Sequence, residues 1–282
     1  VTFPRSLLFV PANRTEMFAR AWASSADAVV LDLEDSVPPE QKPAAREALA
    51  SLKPPPEWSG PILARLNACR SPDFDLDVKA AVAAPLWGVV LPKTERAEEV
   101  RATDAALGTR GRPDRALALV LLIETPAGIL RALELTQCDV SRVAALAFGA
   151  EDYRAAMGVN ASDSGVLLDF ARAMLANAAA AAGLPAIDAP ELDVRDVDRL
   201  REATRRARAL GFRAKFAIHP SQLPVIHEVF TVPDDRAWAA RVLEAYERAV
   251  ADGRGSVALD GRMIDAATIR RAKEILGLKT ED

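Results

Sequence analysis

Histidine and cysteine are scarce in this chain, with two of each among 282 residues. Cys69 and Cys138 lie far apart and form no CxxC, which excludes a disulfide framework and a zinc knuckle and suits a reducing compartment. His219 and His227 share no metal-ligand spacing. His219, just before Pro220, is expected as a turn residue, Ser221 as an N-cap and His227 as a helix-surface residue. Long apolar runs are also lacking. The longest, 116–123, falls well short of the roughly 18 residues that a membrane span requires. The short apolar run at 7–10 has no signal-peptide pattern, so the expectation is a cytoplasmic protein. A basic excess is missing: Lys plus Arg is 36 against 40 for Asp plus Glu, a net charge of -4, which argues against nucleic acid as a partner. No GxGxxG follows the first apolar run, no GxxxxGK[ST] phosphate loop occurs, and no GxSxG elbow is available for serine hydrolysis.

What remains is a globular composition, 50% hydrophobic and 27% charged, sufficient for a large core. Short apolar runs at 6–10, 28–33, 61–66, 88–91, 117–123, 143–148, 185–188 and 214–218 show no polar alternation. Strands apolar on both faces belong to a parallel sheet covered on both sides. Amphipathic stretches fall between them, at 15–26, 43–52, 74–84, 96–107, 127–135, 166–182 and 194–210, with another from 224 to 230. Eight βα units in succession predict an α/β fold, a (β/α)8 TIM barrel over 1–231. A helical C-terminal extension is predicted over 232–282, with helices at 235–251 and 263–276 and a turn at 253–255. That extension either caps its own barrel or packs on a neighbouring subunit.

Active sites of such barrels lie at the C-terminal ends of the strands. The predicted ends deliver Arg14, the acids Asp32, Glu34 and Asp35, Arg65, Lys93, Glu124, Asp152, Asp188 and His219. Glu124 and Asp152 end adjacent strands, with Glu34 and Asp35 across the mouth. Oxygen ligands without a Cys or His cluster favour a hard cation, Mg2+ or Mn2+. The bland alternative is that strand-end acids are helix caps or surface groups. Lys93 reads as a phosphate or substrate contact rather than a Schiff-base lysine. Arg14 and Lys42 are candidate phosphate contacts, with solvated surface as the alternative.

Several segments then match a known family. RSLLFVPAN (5–13), VVLDLEDSV (29–37) with QKPAAR (41–46), ARLN (64–67), LPK (91–93), LIETPAG (122–128), AFGAEDY (147–153), GLPAIDAP (183–190), AIHPSQ (217–222) and GRMID (261–265) occur in order. The chain resembles the citrate lyase beta-subunit-like proteins of the HpcH/HpaI aldolase family, which include malyl-CoA and citramalyl-CoA lyases. Ala12 stands where that family commonly has glycine. The resemblance implies a Mg2+-dependent carbon–carbon lyase that cleaves, or forms by condensation, a 3-hydroxyacyl-CoA, yielding acetyl-CoA and a keto acid. It implies Glu124 and Asp152 as metal ligands, with Glu124 also facing the substrate, and Arg65 as a catalytic and substrate-binding residue. It implies CoA as part of the substrate, with its phosphates near Arg14 or Lys42, and a homotrimer or hexamer. Asp265 in GRMID resembles an acid–base residue that the extension delivers to a neighbouring subunit. The alternatives are a thioesterase on the same scaffold, a CoA-independent 2-keto acid aldolase, and a lyase subunit dependent on partners.

Overall fold

A computed structural model describes residues 3–110, 116–160, 165–231, 233–251 and 257–278. Eight parallel strands close into a barrel in chain order: β1 (Ser6–Pro11), β2 (Ala28–Asp32), β3 (Ile62–Arg65), β4 (Gly88–Leu91), β5 (Ala118–Ile123), β6 (Val143–Phe148), β7 (Ala186–Asp188) and β8 (Ala214–Ala217), with β8 pairing back to β1. The helices are α1 (Phe18–Trp22), α2 (Lys42–Ala50), α3 (Phe74–Ala83), α4 (Ala97–Arg110), α5 (Pro126–Thr136), α6 (Ala150–Ala156), α7 (Gly165–Ala181), α8 (Val197–Ala209) and α9 (Leu223–Phe230). The (β/α)8 barrel expected from the apolar runs is therefore the fold.

Alternation along each strand divides the core in two. Leu7, Val30, Leu63, Val90, Val120 and Phe216 belong to one cluster, which fills the barrel. Leu8, Leu31, Ala64, Leu91 and Leu121 belong to the other, between strands and helices. Both sets are removed from water, which is why the strands read as unbroken apolar runs. Gly88 is required at the β4–β5 contact, because a Cβ there would lie 2.6 Å from the Ala118 carbonyl oxygen.

Local chemistry shortens some predicted elements. The stretch 15–26 is a 3-10 turn followed by the five-residue α1. It stops because the Ser24 hydroxyl donates to the Ala21 carbonyl at 2.6 Å, competing with the helical ladder. Helix α5 starts where its N-cap Thr125 accepts from Gly128 N and Pro126 opens the first turn. Helix α6, at the end of β6, is an additional element that the apolar pattern does not separate.

The chain divides into two compact units, residues 1–230 and 231–282. The second holds α10 (Pro233–Ala251), the antiparallel strands β9 (Val257–Leu259) and β10 (Arg262–Ile264), and α11 (Ala266–Leu276). Its own small core joins Ala239, Val242, Ile264 and Ala272. The helix predicted from 263 begins only at Ala266. Residues 262–264 instead pair with β9 across Asp260-Gly261, whose φ values of 52° and 75° make a tight hairpin turn. The turn predicted at 253–255 lies outside the described residues. Among the described residues, no helix is long and apolar enough to cross a membrane.

Candidate active site

The strand register assembles the site. Asp32 and Arg65 are register partners at the ends of β2 and β3. Arg65 consequently donates from Nε to Asp32 Oδ1 and from Nη2 to Asp32 Oδ2, each at 2.6 Å. Its guanidinium also lies 4.9 Å from the centre of the Phe9 ring. Burial pushes the Asp32 carboxyl up, but the two Arg65 hydrogen bonds and the adjacent positive charge more than offset it and hold Asp32 below its ordinary value. Ser36 and the backbone N–H of Glu34 donate to the same carboxylate. The remaining nitrogen, Nη1, donates to Asp35 Oδ2 and pairs with Glu34 Oε2, each at 3.2 Å.

Glu34 is buried, and its Oε2 accepts no hydrogen bond among the described residues. Its Oε1 accepts from Lys93 Nζ at 3.0 Å. Lys93 follows Pro92 at the end of β4 with φ 52°, a left-handed backbone that a lysine adopts only at a cost. That conformation aims its backbone N–H at Glu124 Oε1, 2.8 Å away, while its ammonium lies 3.9 Å from Asp152 Oδ2.

Glu124 directly follows β5 and is 3% exposed. Gly149 sits beside it, because Ile123 and Phe148 are register partners. A Cβ on Gly149 would lie 2.5 Å from Glu124 Cβ and collide with its carboxylate, so glycine is needed there. Asp152 stands in the first turn of α6 with its side chain 43% exposed. Burial pushes the Glu124 carboxyl up to about 8, with Glu34 and Asp152 adding like-charge repulsion. Burial likewise pushes Glu34 up to about 7, against the pull of Arg65.

Arg65, Glu124 and Asp152 line one cavity of about 390 Å3 at the barrel mouth, walled by Phe9, Phe148, Phe216 and Ile218. A second cavity, of about 370 Å3, shares Lys93, Glu124 and Asp152 and adds Cys69, Arg70 and Glu99. A larger groove, of about 720 Å3, is lined by Trp22 of α1, Ala48 of α2, Leu52 and Trp58, away from this chemistry. Among the described residues, no group of three or more His, Cys, Asp or Glu side chains is placed to hold a metal. A cation here would take two protein carboxylates at most and fill its other positions from water and substrate, which is the habit of Mg2+.

Other sequence candidates lie elsewhere. Arg14 is exposed in the turn after β1, paired with Glu16. Lys42 corrects the expectation of a phosphate contact: it is 9% exposed, and its ammonium is committed to Asn67 Oδ1 and the Leu33 and Glu34 carbonyls. His227 is also a correction. It is not a surface residue but is 18% exposed, with Nε2 bonded to Ser6 Oγ at 2.8 Å and 3.5 Å from Asp27. His219 is a turn residue, and its Nδ1 accepts from Ser221 N. Asp265 belongs to the second unit, where it is exposed and accepts from Thr268 N and Oγ1, each at 2.7 Å, at the start of α11. The Glu34–Lys93 pair and the Asp32–Arg65 clasp emerge only in three dimensions, although strand-end position flags all four residues.

The profile of the HpcH/HpaI aldolase/citrate lyase family matches residues 5–220. A Deinococcus radiodurans "Citrate lyase subunit beta-like protein" is 36% identical over 278 residues, 96% of each chain. The "L-malyl-CoA/beta-methylmalyl-CoA lyase" of Rhodobacter capsulatus is 32% identical over 298 residues, covering 96% of this chain and 93% of that one. Among solved structures, protein CitE from Mycobacterium tuberculosis in complex with magnesium, acetoacetate and coenzyme A superposes with a TM-score of 0.79. It is 35% identical, with 97% of both chains covered.

Proposed function

The chain belongs to the HpcH/HpaI aldolase/citrate lyase family, and from that premise we propose that it is a Mg2+-dependent acyl-CoA lyase. Its reaction breaks the C2–C3 bond of a 3-hydroxyacyl-CoA to give acetyl-CoA and a keto acid, or makes that bond in reverse. The observation that carries this reading is that Arg65, Glu124 and Asp152 line one cavity at the barrel mouth. Two carboxylates crowded enough to help raise Glu124 to about 8 fit a hard divalent ion. Glu124 and Asp152 would hold it. Magnesium accompanies the solved CitE relative; Mn2+ shares the oxygen preference but has no such support. When bound, the ion supplies Lewis-acid stabilisation of several kcal/mol at the substrate oxygens.

This chain's own side chains do the rest. The Arg65 fork, tied to Asp32 by two of its nitrogens, donates to the emerging keto-acid oxygens. A charge-assisted hydrogen bond of that kind contributes about 1.5–3 kcal/mol. Phe9, Phe148 and Phe216 exclude water from the bond being broken. Asp265, delivered by the extension of a neighbouring copy and ionised because Thr268 donates to it, takes the proton that the substrate hydroxyl gives up and returns it to the acetyl-CoA enolate carbon. CoA approaches along the rim past Arg14. The active form is a homotrimer or a multiple of it, and the two free cysteines suit the cytoplasm.

Supplying a panel of 3-hydroxyacyl-CoA thioesters and quantifying acetyl-CoA and free CoA separately tests the reaction class. Acetyl-CoA with an equimolar keto acid supports a lyase. Free CoA with the intact hydroxy acid makes the protein a thioesterase.

Metal binding through Glu124 sets a pH dependence. Between the ordinary carboxyl value of 4.5 and about 8, folded Glu124 keeps a proton that the unfolded chain has released. The stability of the metal-free protein is therefore expected to fall as pH rises through that window. Mg2+ must displace the same proton, so its affinity should rise about tenfold per pH unit from about 6 to 8 and then level off. Calorimetric titration measures this, and a pH-independent affinity removes Glu124 from the ligand set.

Sharing of Asp265 between copies has its own test. Asp265→Ala and Arg65→Ala chains should each be nearly inactive, and mixed oligomers formed on co-refolding should regain part of the activity. Recovery of nothing in verified mixed oligomers places Asp265 within its own barrel. Retained turnover with lowered thermal stability in Asp265→Ala makes it only a helix cap, worth about 1 kcal/mol.

A further inference from the structure

Lys42 opens α2 with its ammonium inside the protein. Nζ donates to the Leu33 carbonyl at 3.0 Å and to Asn67 Oδ1, with the Glu34 carbonyl at 3.5 Å. An ammonium has three donors, and all are committed. The Asn67 amide is committed as well. Its Nδ2 donates to the same Leu33 carbonyl at 3.0 Å and to Asp77 Oδ2 at 2.6 Å, and its backbone N–H reaches Asp77 Oδ2 at 2.8 Å. Asp77 is fully buried and takes Arg46 Nε on its other oxygen at 2.7 Å. Arg46 also pairs with Asp73. The result is a closed lattice of two cations, two anions and an amide beneath the ends of β2 and β3.

This lattice adjoins the substrate-facing arginine through the backbone. Leu33 and Glu34, whose carbonyls Lys42 holds, directly follow Asp32, which clasps Arg65 by two hydrogen bonds. Asn67 stands two residues beyond Arg65, in the segment that follows β3. The lattice therefore grips both chain segments that carry the clasp. Buried ion pairs are a poor route to stability, since apolar replacements often do as well. They do fix a geometry, because each member has one arrangement that satisfies all its partners.

Resting on the acyl-CoA lyase reading, we propose that Lys42 is a positioning residue for Arg65. It fixes the Leu33–Glu34 backbone, and through it the Asp32 carboxylate that aims the guanidinium at the keto-acid oxygens. The lattice bonds touch neither Glu124 nor Asp152, so it acts on one half of the site. Removing the ammonium should loosen keto-acid recognition and leave the metal half intact.

Lys42→Met keeps the length of the side chain and removes its charge and donors. Mg2+ affinity, measured by calorimetry on the full chain, should stay within about twofold of wild type. Pyruvate affinity at saturating Mg2+ should weaken at least about tenfold, and kcat/KM for the acyl-CoA substrate should fall at least about tenfold. If Lys42→Met does not fold, Asn67→Ala, which leaves the ammonium on the Leu33 and Glu34 carbonyls, should show the same pattern at smaller size. Pyruvate affinity and kcat/KM within about twofold of wild type in a folded variant, with only the melting temperature lowered, overturn the proposal. If wild type itself neither binds pyruvate with Mg2+ nor turns over any thioester, it is the lyase reading that has failed. A crystal structure of the variant then decides the positioning claim by itself. Arg65 displaced from Asp32 and from the Phe9 ring supports it, and Arg65 unmoved refutes it.

Discussion

Glu124→Gln is expected to lower Mg2+-dependent turnover by about 10³-fold, the equivalent of roughly 4 kcal/mol of transition-state stabilisation. The amide oxygen of glutamine can still accept the Lys93 backbone N–H that now reaches Glu124 at 2.8 Å, so the loop after β4 should keep its place. What is lost is the negative charge that a hard cation requires. The same substitution should make the metal-free protein more stable at neutral pH. Glu124, raised from 4.5 to about 8, is a buried carboxyl that folding forces to stay protonated at pH 7. Replacing it removes an unfavourable contribution on the order of 3 kcal/mol, since every tenfold bias of a protonation equilibrium corresponds to about 1.4 kcal/mol. Thermal unfolding in chelator reads the stability, and turnover at saturating Mg2+ reads the activity. A variant less stable than wild type but fully active would mean that Glu124 is a structural acid.

Arg65→Lys is expected to lower kcat/KM by at least about 10²-fold. Lysine presents a point charge where the site uses a planar fork, with Nε and Nη2 on Asp32 and Nη1 on the edge turned away from that clasp. A lysine ammonium that satisfies Asp32 has no second nitrogen left for the substrate. Because it can still neutralise Asp32, the stability loss should be smaller than for Arg65→Ala. The alanine variant strands a carboxylate that is 1% exposed, and breaking a buried pair in this way costs about 3–5 kcal/mol. Steady-state kinetics beside denaturant unfolding separate the two effects. Wild-type kcat/KM in Arg65→Lys contradicts a substrate-facing role.

The barrel is legible in the sequence because each strand is apolar on both faces, and only a covered parallel sheet tolerates that. The rim acids are legible because strand ends in such a fold converge on one mouth. Pairings across the rim are not. The Asp32–Arg65 clasp depends on the β2–β3 register, which no local pattern around either residue encodes. Lys42 reads as a phosphate contact, or failing that as solvated surface, because either role suits a lysine in the loop after a strand end. Its burial depends on Asn67 and Asp77, brought in by β3 and α3 from well downstream. His227 escapes a sequence reading for the same reason, since Ser6 and Asp27 lie at the far end of the chain. The β9–β10 hairpin differs in kind. Asp260-Gly261 is a strong local turn signal, but the apolar spacing after it favours a helix.

The most direct measurement follows the release of acetyl-CoA from a 3-hydroxyacyl-CoA, first in Mg2+ and then in excess chelator, with the keto acid quantified in the same reaction. A Mg2+-dependent lyase yields equimolar acetyl-CoA and keto acid in Mg2+, loses both in chelator, and recovers both when Mg2+ is restored. Cleavage that continues unchanged in chelator would contradict it.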